Sequence, residues 1–135
     1  MKDSLKPGIT RTERVVVDRD RTIGFLGEEL RVYSTPSMVG DVEYATLRMI
    51  AEHLDEGEST VGMHVAVDHL GATPLGETVE VTVTVTVVDG RKVEASAEVR
   101  DALETVGRGR HVRFVIDVAK QAERLGKKKA ALANR

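Results

Sequence analysis

The stretch that most limits what this chain can fold into is "TVEVTVTVTVVDGRKVEASAEVR", residues 78–100. Its first half is β-branched at nearly every position and alternates Val with Thr, the pattern of a strand packed on one face and wet on the other. Asp89-Gly90 interrupts it with the strongest short hairpin signal in the chain, and "RKVEASAEVRD" returns alongside. A hairpin cannot bury its apolar face alone, so further strands and a cover are required. "STVGMHVAVDHL" and "GRGRHVRFVIDV" read as two more strands, "TRTERVVVD" (residues 10–18) as the first, and "GATPLGE" as a turn-rich break. Two-residue alternation puts Val61, Met63, Val65 and Val67 on one face, with His69 beside them and His64 and Asp68 opposite.

The cover is "STPSMVGDVEYATLRMIAEHL", residues 34–54. Pro36 suits the first helical position and makes Thr35 the N-cap, and Gly57 serves as the stop after Leu54. On a helical wheel Val39, Val42, Thr46, Leu47, Ile50 and Leu54 share one side, and Asp41, Tyr44, Arg48 and Glu52 the other. Glu43 falls among Val39, Leu47, Ile50 and Leu54. "RDRTIGFLGEEL" reads as a short helix or irregular segment, "RVYS" as a short extended piece, and residues 119–135 as a basic helix or tail. The order of strand, one long helix, then four antiparallel strands implies an α+β fold in a single domain spanning 1–135.

Composition narrows the function. No cysteine excludes disulfides, thiol catalysis and thiolate metal sites, and a formal charge of −2 gives no reason to expect nucleic acid. No apolar run has membrane-spanning length and the N-terminus lacks an apolar core segment, so the expectation is a cytoplasmic protein without a membrane partner. No paired-histidine zinc motif, phosphate loop or nucleophile elbow occurs, and no metal is expected.

The residues able to carry chemistry are few. A carboxylate on a buried stripe needs a partner or a raised pKa, so Glu43 is either a general base or nucleophile, or a paired structural acid. His69 points to the same side of the sheet, as a core histidine or as the acid–base partner of Glu43. Thr35 sits two turns before Glu43 at the positive end of a helix, where a cap and a site role are compatible. Gly62 interrupts a regular strand, the mark of a bulge or of a close backbone approach that can serve an oxyanion. Arg113 has the parity opposite to Phe114 and Ile116, which makes it a solvated strand charge or a phosphate contact. His53 and His111 read as structural.

"TPSMVGDVEYA", "STVGMHVAVDHLGATPLGETVEVTV" and "GRGRHVRFVI" together resemble the hotdog-fold acyl-CoA thioesterases, in particular the group typified by fluoroacetyl-CoA thioesterase. The resemblance covers roughly residues 10–125, and "DHLGATPLG" is its most specific piece. It implies one long central helix wrapped by a curved antiparallel sheet, with each active site built across the interface of a homodimer, which could pair further into a dimer of dimers. It implies Thr35, Glu43 and His69 as the catalytic set, Gly62 as a backbone donor to the thioester oxygen, and Arg113 as a contact to substrate or coenzyme A. No cofactor is implied beyond the coenzyme A of the substrate. Where that group carries gating phenylalanines this chain has Leu26 and Glu29, so the expected substrate is a short or small acyl-CoA rather than fluoroacetyl-CoA in particular. The alternatives are a non-catalytic hotdog protein that binds acyl-CoA or another small ligand, and a hotdog hydratase or dehydratase. The latter's Asp–His run ahead of an Asn-Pro pair is missing.

Overall fold

Five antiparallel strands form one sheet in the order β1-β3-β4-β5-β2 in the computed structural model, which describes residues 1–135. They are β1 (Thr10–Val16), β2 (Glu58–His69), β3 (Thr78–Asp89), β4 (Lys92–Arg100) and β5 (Thr105–Asp117), with α1 (Thr35–Ala51) after β1 and α2 (Val118–Ala133) at the end. The α+β order inferred from the sequence holds. The β3–β4 hairpin turns at Gly90, whose φ of 59° suits a residue without a side chain, and Asp89 pairs with Lys92 across it.

The alternation in the hairpin translates directly into burial. Val79, Val81, Val83 and Val85 of β3 and Val93, Ala95, Ala97 and Val99 of β4 all face inward. Met38, Val42, Ala45, Met49 and Ile50 of α1 close over them. Two glycines of β5 make the close fit possible. A Cβ on Gly107 would lie 2.5 Å from Met38 Sδ, and one on Gly109 2.3 Å from the carbonyl oxygen of Ala66. The segment between β1 and α1 is irregular apart from two short 3-10 turns, Arg19–Arg21 and Glu28–Leu30. The basic C-terminus is helical with no buried residue, and no helix is long and apolar enough to cross a membrane.

Four expectations are corrected. The buried stripe of α1 consists of Met38, Val42, Ala45, Thr46, Met49 and Ile50, so Val39, Glu43 and Leu47 lie half-buried on its flank rather than in the core. The helix also ends at Ala51, and Leu54 is buried from the turn beyond it. In β2 the register shifts between Gly62 and His64. One extra residue in a strand reverses the facing of everything after it. Thr60 is therefore buried, Val65, Val67 and His69 are half-buried, and Val61 and Met63 stand 38% and 57% exposed rather than facing the helix. In β5, Arg113 and Val115 face inward while Phe114 is exposed, the reverse of a solvated arginine.

Candidate active site

The first cluster forms where the chain enters α1. The Ser34 hydroxyl accepts from the Ser37 N–H at 3.1 Å, so Ser34 is the N-cap and Thr35 opens the helix, a correction to the expected cap. With the cap supplied by its neighbour, the Thr35 hydroxyl is left for another partner, and it meets His69 Nδ1 at 2.8 Å. Tyr33 presses on the same imidazole edge-on, ring centroids 6.2 Å apart at 70°. The Tyr33 hydroxyl donates to Asp41 at 2.6 Å, and Arg21 donates to that carboxylate from Nε at 3.0 Å. Burial, then the Asp41 carboxylate, pushes the Tyr33 phenol above its ordinary range, so it stays a donor.

His69 Nε2 is buried and has no hydrogen-bond partner. A buried polar atom in that state is uncommon, and it is free to bond a ligand. His69 and Thr35 line a cavity of about 640 Å³ together with Ile23, Phe25, Val32 and Leu70. Leu26 and Glu29 are exposed and do not line it.

The second cluster lies midway along α1, around Gly62. A Cβ there would sit 3.3 Å from His111 Cε1, 3.4 Å from Arg113 Nη1 and 3.7 Å from Glu43 Oε2. The missing side chain thus leaves a hollow bounded by a carboxylate, an imidazole and a guanidinium. Arg113, 7% exposed, is anchored by Nε to the Thr60 hydroxyl at 2.7 Å and by Nη2 to the Thr60 carbonyl at 2.8 Å. Its Nη1 donates to His111 Nε2 at 3.1 Å, and His111 Nδ1 donates to the His64 carbonyl at 2.8 Å. Those two partners admit only the neutral, Nδ1-protonated ring, because a guanidinium cannot accept and a carbonyl cannot donate. Burial, reinforced by the nearby Arg113 charge, accordingly lowers the His111 pKa. Glu43 acts on Arg113 through its charge rather than through a hydrogen bond.

His111 is the residue that sequence reasoning missed. Its only signal was shared parity with Arg113, which carried no weight while Arg113 was read as solvated. Tyr33, Asp41 and Arg21 had no signal at all, since their meeting depends on how the irregular segment folds over the helix start. No three His, Asp or Glu side chains converge as a metal-ligand set.

The structure brings Thr35 to His69, and Glu43 to Gly62 and Arg113, but leaves these as two clusters in one chain. Thr35 and Glu43 are eight residues apart on one helix, roughly 12 Å of rise.

A family model described as fluoroacetyl-CoA-specific thioesterase matches residues 17–119, which include both clusters. The chain belongs to that family. It is 35% identical over 127 residues to the fluoroacetyl-CoA thioesterase of Streptantibioticus cattleyicolor, covering 89% of this chain and 91% of the relative. The solved structure of the fluoroacetyl-CoA thioesterase FlK superposes with a TM-score of 0.84 at 32% identity, covering 93% of this chain and 98% of that one. A thioesterase superfamily member from Thermus thermophilus superposes with a TM-score of 0.89 at 26% identity, over 98% and 99% of the two chains. The helix wrapped by a curved five-stranded sheet is thus the hotdog fold of these thioesterases. In this family member, Leu26 and Glu29 are solvent-facing and the apolar wall of the His69 cavity comes from Ile23, Phe25, Val32 and Leu70.

Proposed function

We propose that this protein hydrolyses coenzyme A thioesters of short or small acyl groups in a homodimer, each site combining Glu43 of one protomer with Thr35 and His69 of the other. The observation that carries the reading is the imidazole of His69, tethered through Nδ1 by Thr35 while its buried Nε2 lacks a partner. Such an atom is disposed to give a proton to a leaving thiolate. Glu43, beside the Gly62 hollow, takes a proton from water as the water oxygen attacks the thioester carbonyl. The tetrahedral oxyanion is held by the Gly62 backbone N–H with Arg113 close by, oxyanion stabilisation being commonly the largest single contribution. The C–S bond then breaks, His69 Nε2 protonates the sulfur, and a carboxylic acid and free coenzyme A leave. Glu43 could also attack the carbonyl itself and form an anhydride that water opens. Single-turnover hydrolysis in ¹⁸O-water labels Glu43 only by that second route.

The reading needs no cofactor, since coenzyme A enters with the substrate. The dimer is supported by β2, an edge strand with a free hydrogen-bonding side and exposed Val61 and Met63. The test is a hydrolysis screen over acyl-CoA chain lengths. A short acyl-CoA should turn over, and Glu43→Ala and His69→Ala should each lose on the order of 10²–10⁴-fold in rate. Glu43→Ala activity within a few-fold of the parent would overturn the assignment.

A further inference from the structure

A guanidinium and a carboxylate near each other in a protein interior ordinarily join, because a bidentate, charge-assisted pair is the strongest contact either can make. Arg113 and Glu43 do not. Arg113 Nη1 and Glu43 Oε2 lie 3.4 and 3.7 Å from the point a Gly62 Cβ would occupy, yet the carboxylate reaches the arginine only through its charge. Neutral acceptors hold the guanidinium instead. The Thr60 hydroxyl takes Nε at 2.7 Å and the Thr60 carbonyl takes Nη2 at 2.8 Å. His111 Nε2 takes Nη1, the nitrogen beside the hollow, at 3.1 Å. The Thr60 oxygens accept at any pH, whereas the imidazole accepts only while it is neutral. His111 is therefore the one anchor that can let go. Its ring is 1% exposed and its Nδ1 already donates to the His64 carbonyl at 2.8 Å, which fixes the nitrogen that faces Arg113. The charged and titratable groups acting on it are Arg113 on its own strand, Glu43 from α1 and His64 from β2, while β4 sets Ala95 beside it.

We propose that His111 is a positioning residue of the reaction centre: by accepting from Arg113 Nη1 it keeps the guanidinium turned to the Gly62 hollow and off the Glu43 carboxylate. The inference rests on the reading of Glu43 as the base. A carboxylate joined to a guanidinium is a poor base, since the cation stabilises its charged form. Held apart, the same carboxylate can take a proton from water, and the second Nη1 N–H stays beside the hollow for the oxyanion. Protonating the ring reverses both effects. Nε2 then becomes a donor facing a donor, two cations stand where one did, and Arg113 turns to Glu43 for the bond that His111 no longer offers. Burial, reinforced by the Arg113 charge, keeps the ring neutral near pH 7 and lets it charge only in acid. His111 thus acts on the chemistry through Arg113, and the base is free only while the imidazole is uncharged.

The test uses the full chain and two variants: His111→Gln, whose amide oxygen can accept from Arg113 at any pH, and His111→Leu, which offers no acceptor. Heteronuclear NMR follows the Arg113 guanidinium and His111 imidazole nitrogens from pH 8 into acid. The Arg113 signals should move with the same midpoint as the imidazole and stay put over that range in His111→Gln. In His111→Leu at pH 8 they should match the acid form of the parent. Arg113 signals that ignore the titration of His111, or that agree in the parent and His111→Leu at pH 8, overturn the inference. Rates on a short acyl-CoA give the second arm. At pH 8 His111→Leu should lose about 10- to 100-fold in kcat with KM within about threefold, and His111→Gln should recover to within about threefold of the parent. Toward pH 5.5 the parent should lose at least about threefold more than His111→Gln, because only the parent has the titrating acceptor. Equal acid slopes, or parental kcat in His111→Leu, overturn the inference. Should His111→Leu fail to fold, the comparison of the parent with His111→Gln decides. If the unaltered chain hydrolyses no acyl-CoA, the hydrolase reading has failed, and the NMR titration decides the positioning by itself.

Discussion

Mixing two inactive variants, Glu43→Ala and His69→Ala, should regenerate activity. Within one protomer Glu43 borders Gly62, while His69 is bonded to Thr35, eight helical residues and roughly 12 Å of rise away. Along β2, Gly62 and His69 are seven residues apart, about 23 Å of strand before the bulge shortens it. An acid and a base acting on one thioester must each come within about 3 Å of the atoms they serve, so these two cannot share a site inside one chain. A two-fold axis on the β2 edge, running the paired strands in opposite directions, brings the late half of one β2 beside the Gly62 region of the other. A mixed dimer then has one site with both substitutions and one with neither. After subunit exchange at equal concentrations, half of the dimers are mixed and each has one intact site of two, so about a quarter of parental activity should return. Each variant alone retains on the order of 10⁻²–10⁻⁴ of the parent, so the recovery is tens- to thousands-fold. Thiol release followed by absorbance gives the rate, and native mass spectrometry verifies that mixed dimers have formed. Mixed dimers no more active than either variant would refute the shared-site reasoning.

Gly62→Ala should cut kcat by about 10²-fold while Tm stays within a few degrees, because the new methyl fills the hollow 3.3 Å from His111 and 3.4 Å from Arg113 without touching backbone; an unaffected kcat would mean the hollow is not where the carbonyl sits. Gly109→Ala should destabilise the fold by about 1–3 kcal/mol or more in urea denaturation, since its Cβ meets the Ala66 carbonyl at 2.3 Å and backbone cannot swing aside. Met49→Ala, at a site 1% exposed against the sheet, should cost about 2–5 kcal/mol in the same assay through the cavity it leaves. The pH dependence of stability should carry the mark of His111. Its folded pKa is depressed by burial and then by Arg113, so its contribution is whole above the unfolded value of about 6.5 and is lost as the pH falls through that value toward the folded one. Tm should therefore drop between pH 7.5 and 5.5, and drop less in His111→Gln; identical slopes would exclude His111 as the cause.

The β3–β4 hairpin was legible because a period-two pattern of Val and Thr with Asp-Gly at its end has one stable solution, and the inward valines are buried as the alternation requires as far as Val85, beyond which a register shift leaves Val87 exposed. Glu43 was legible as an anomaly on its helix, and Gly62 as an anomaly in its strand. What misled was regularity assumed past a break. The alternation through Val61, Met63, Val65 and Val67 looked continuous, yet the bulge at Gly62/His64 splits it and turns the first two outward. Gly62 was the mark of that bulge, but the apolar alternation itself does not register it when the residues on both sides are apolar. Arg113 was misjudged for the related reason that a buried cation is legible only through its partners, and Thr60 and His111 come from 53 and 2 residues away.

Local chemistry in the chain determined the strands, the long helix, the hairpin and the shortlist of reactive side chains, since each rests on interactions among near neighbours. Tertiary structure alone decided which of those side chains meet. It handed the cap to Ser34 so that Thr35 could reach His69, and swung Arg113 and His111 inward around Gly62 beside Glu43. Those outcomes depend on a one-residue register shift and on the rotation of a helix against a sheet, and both are set by packing across the whole fold rather than by any short stretch of it.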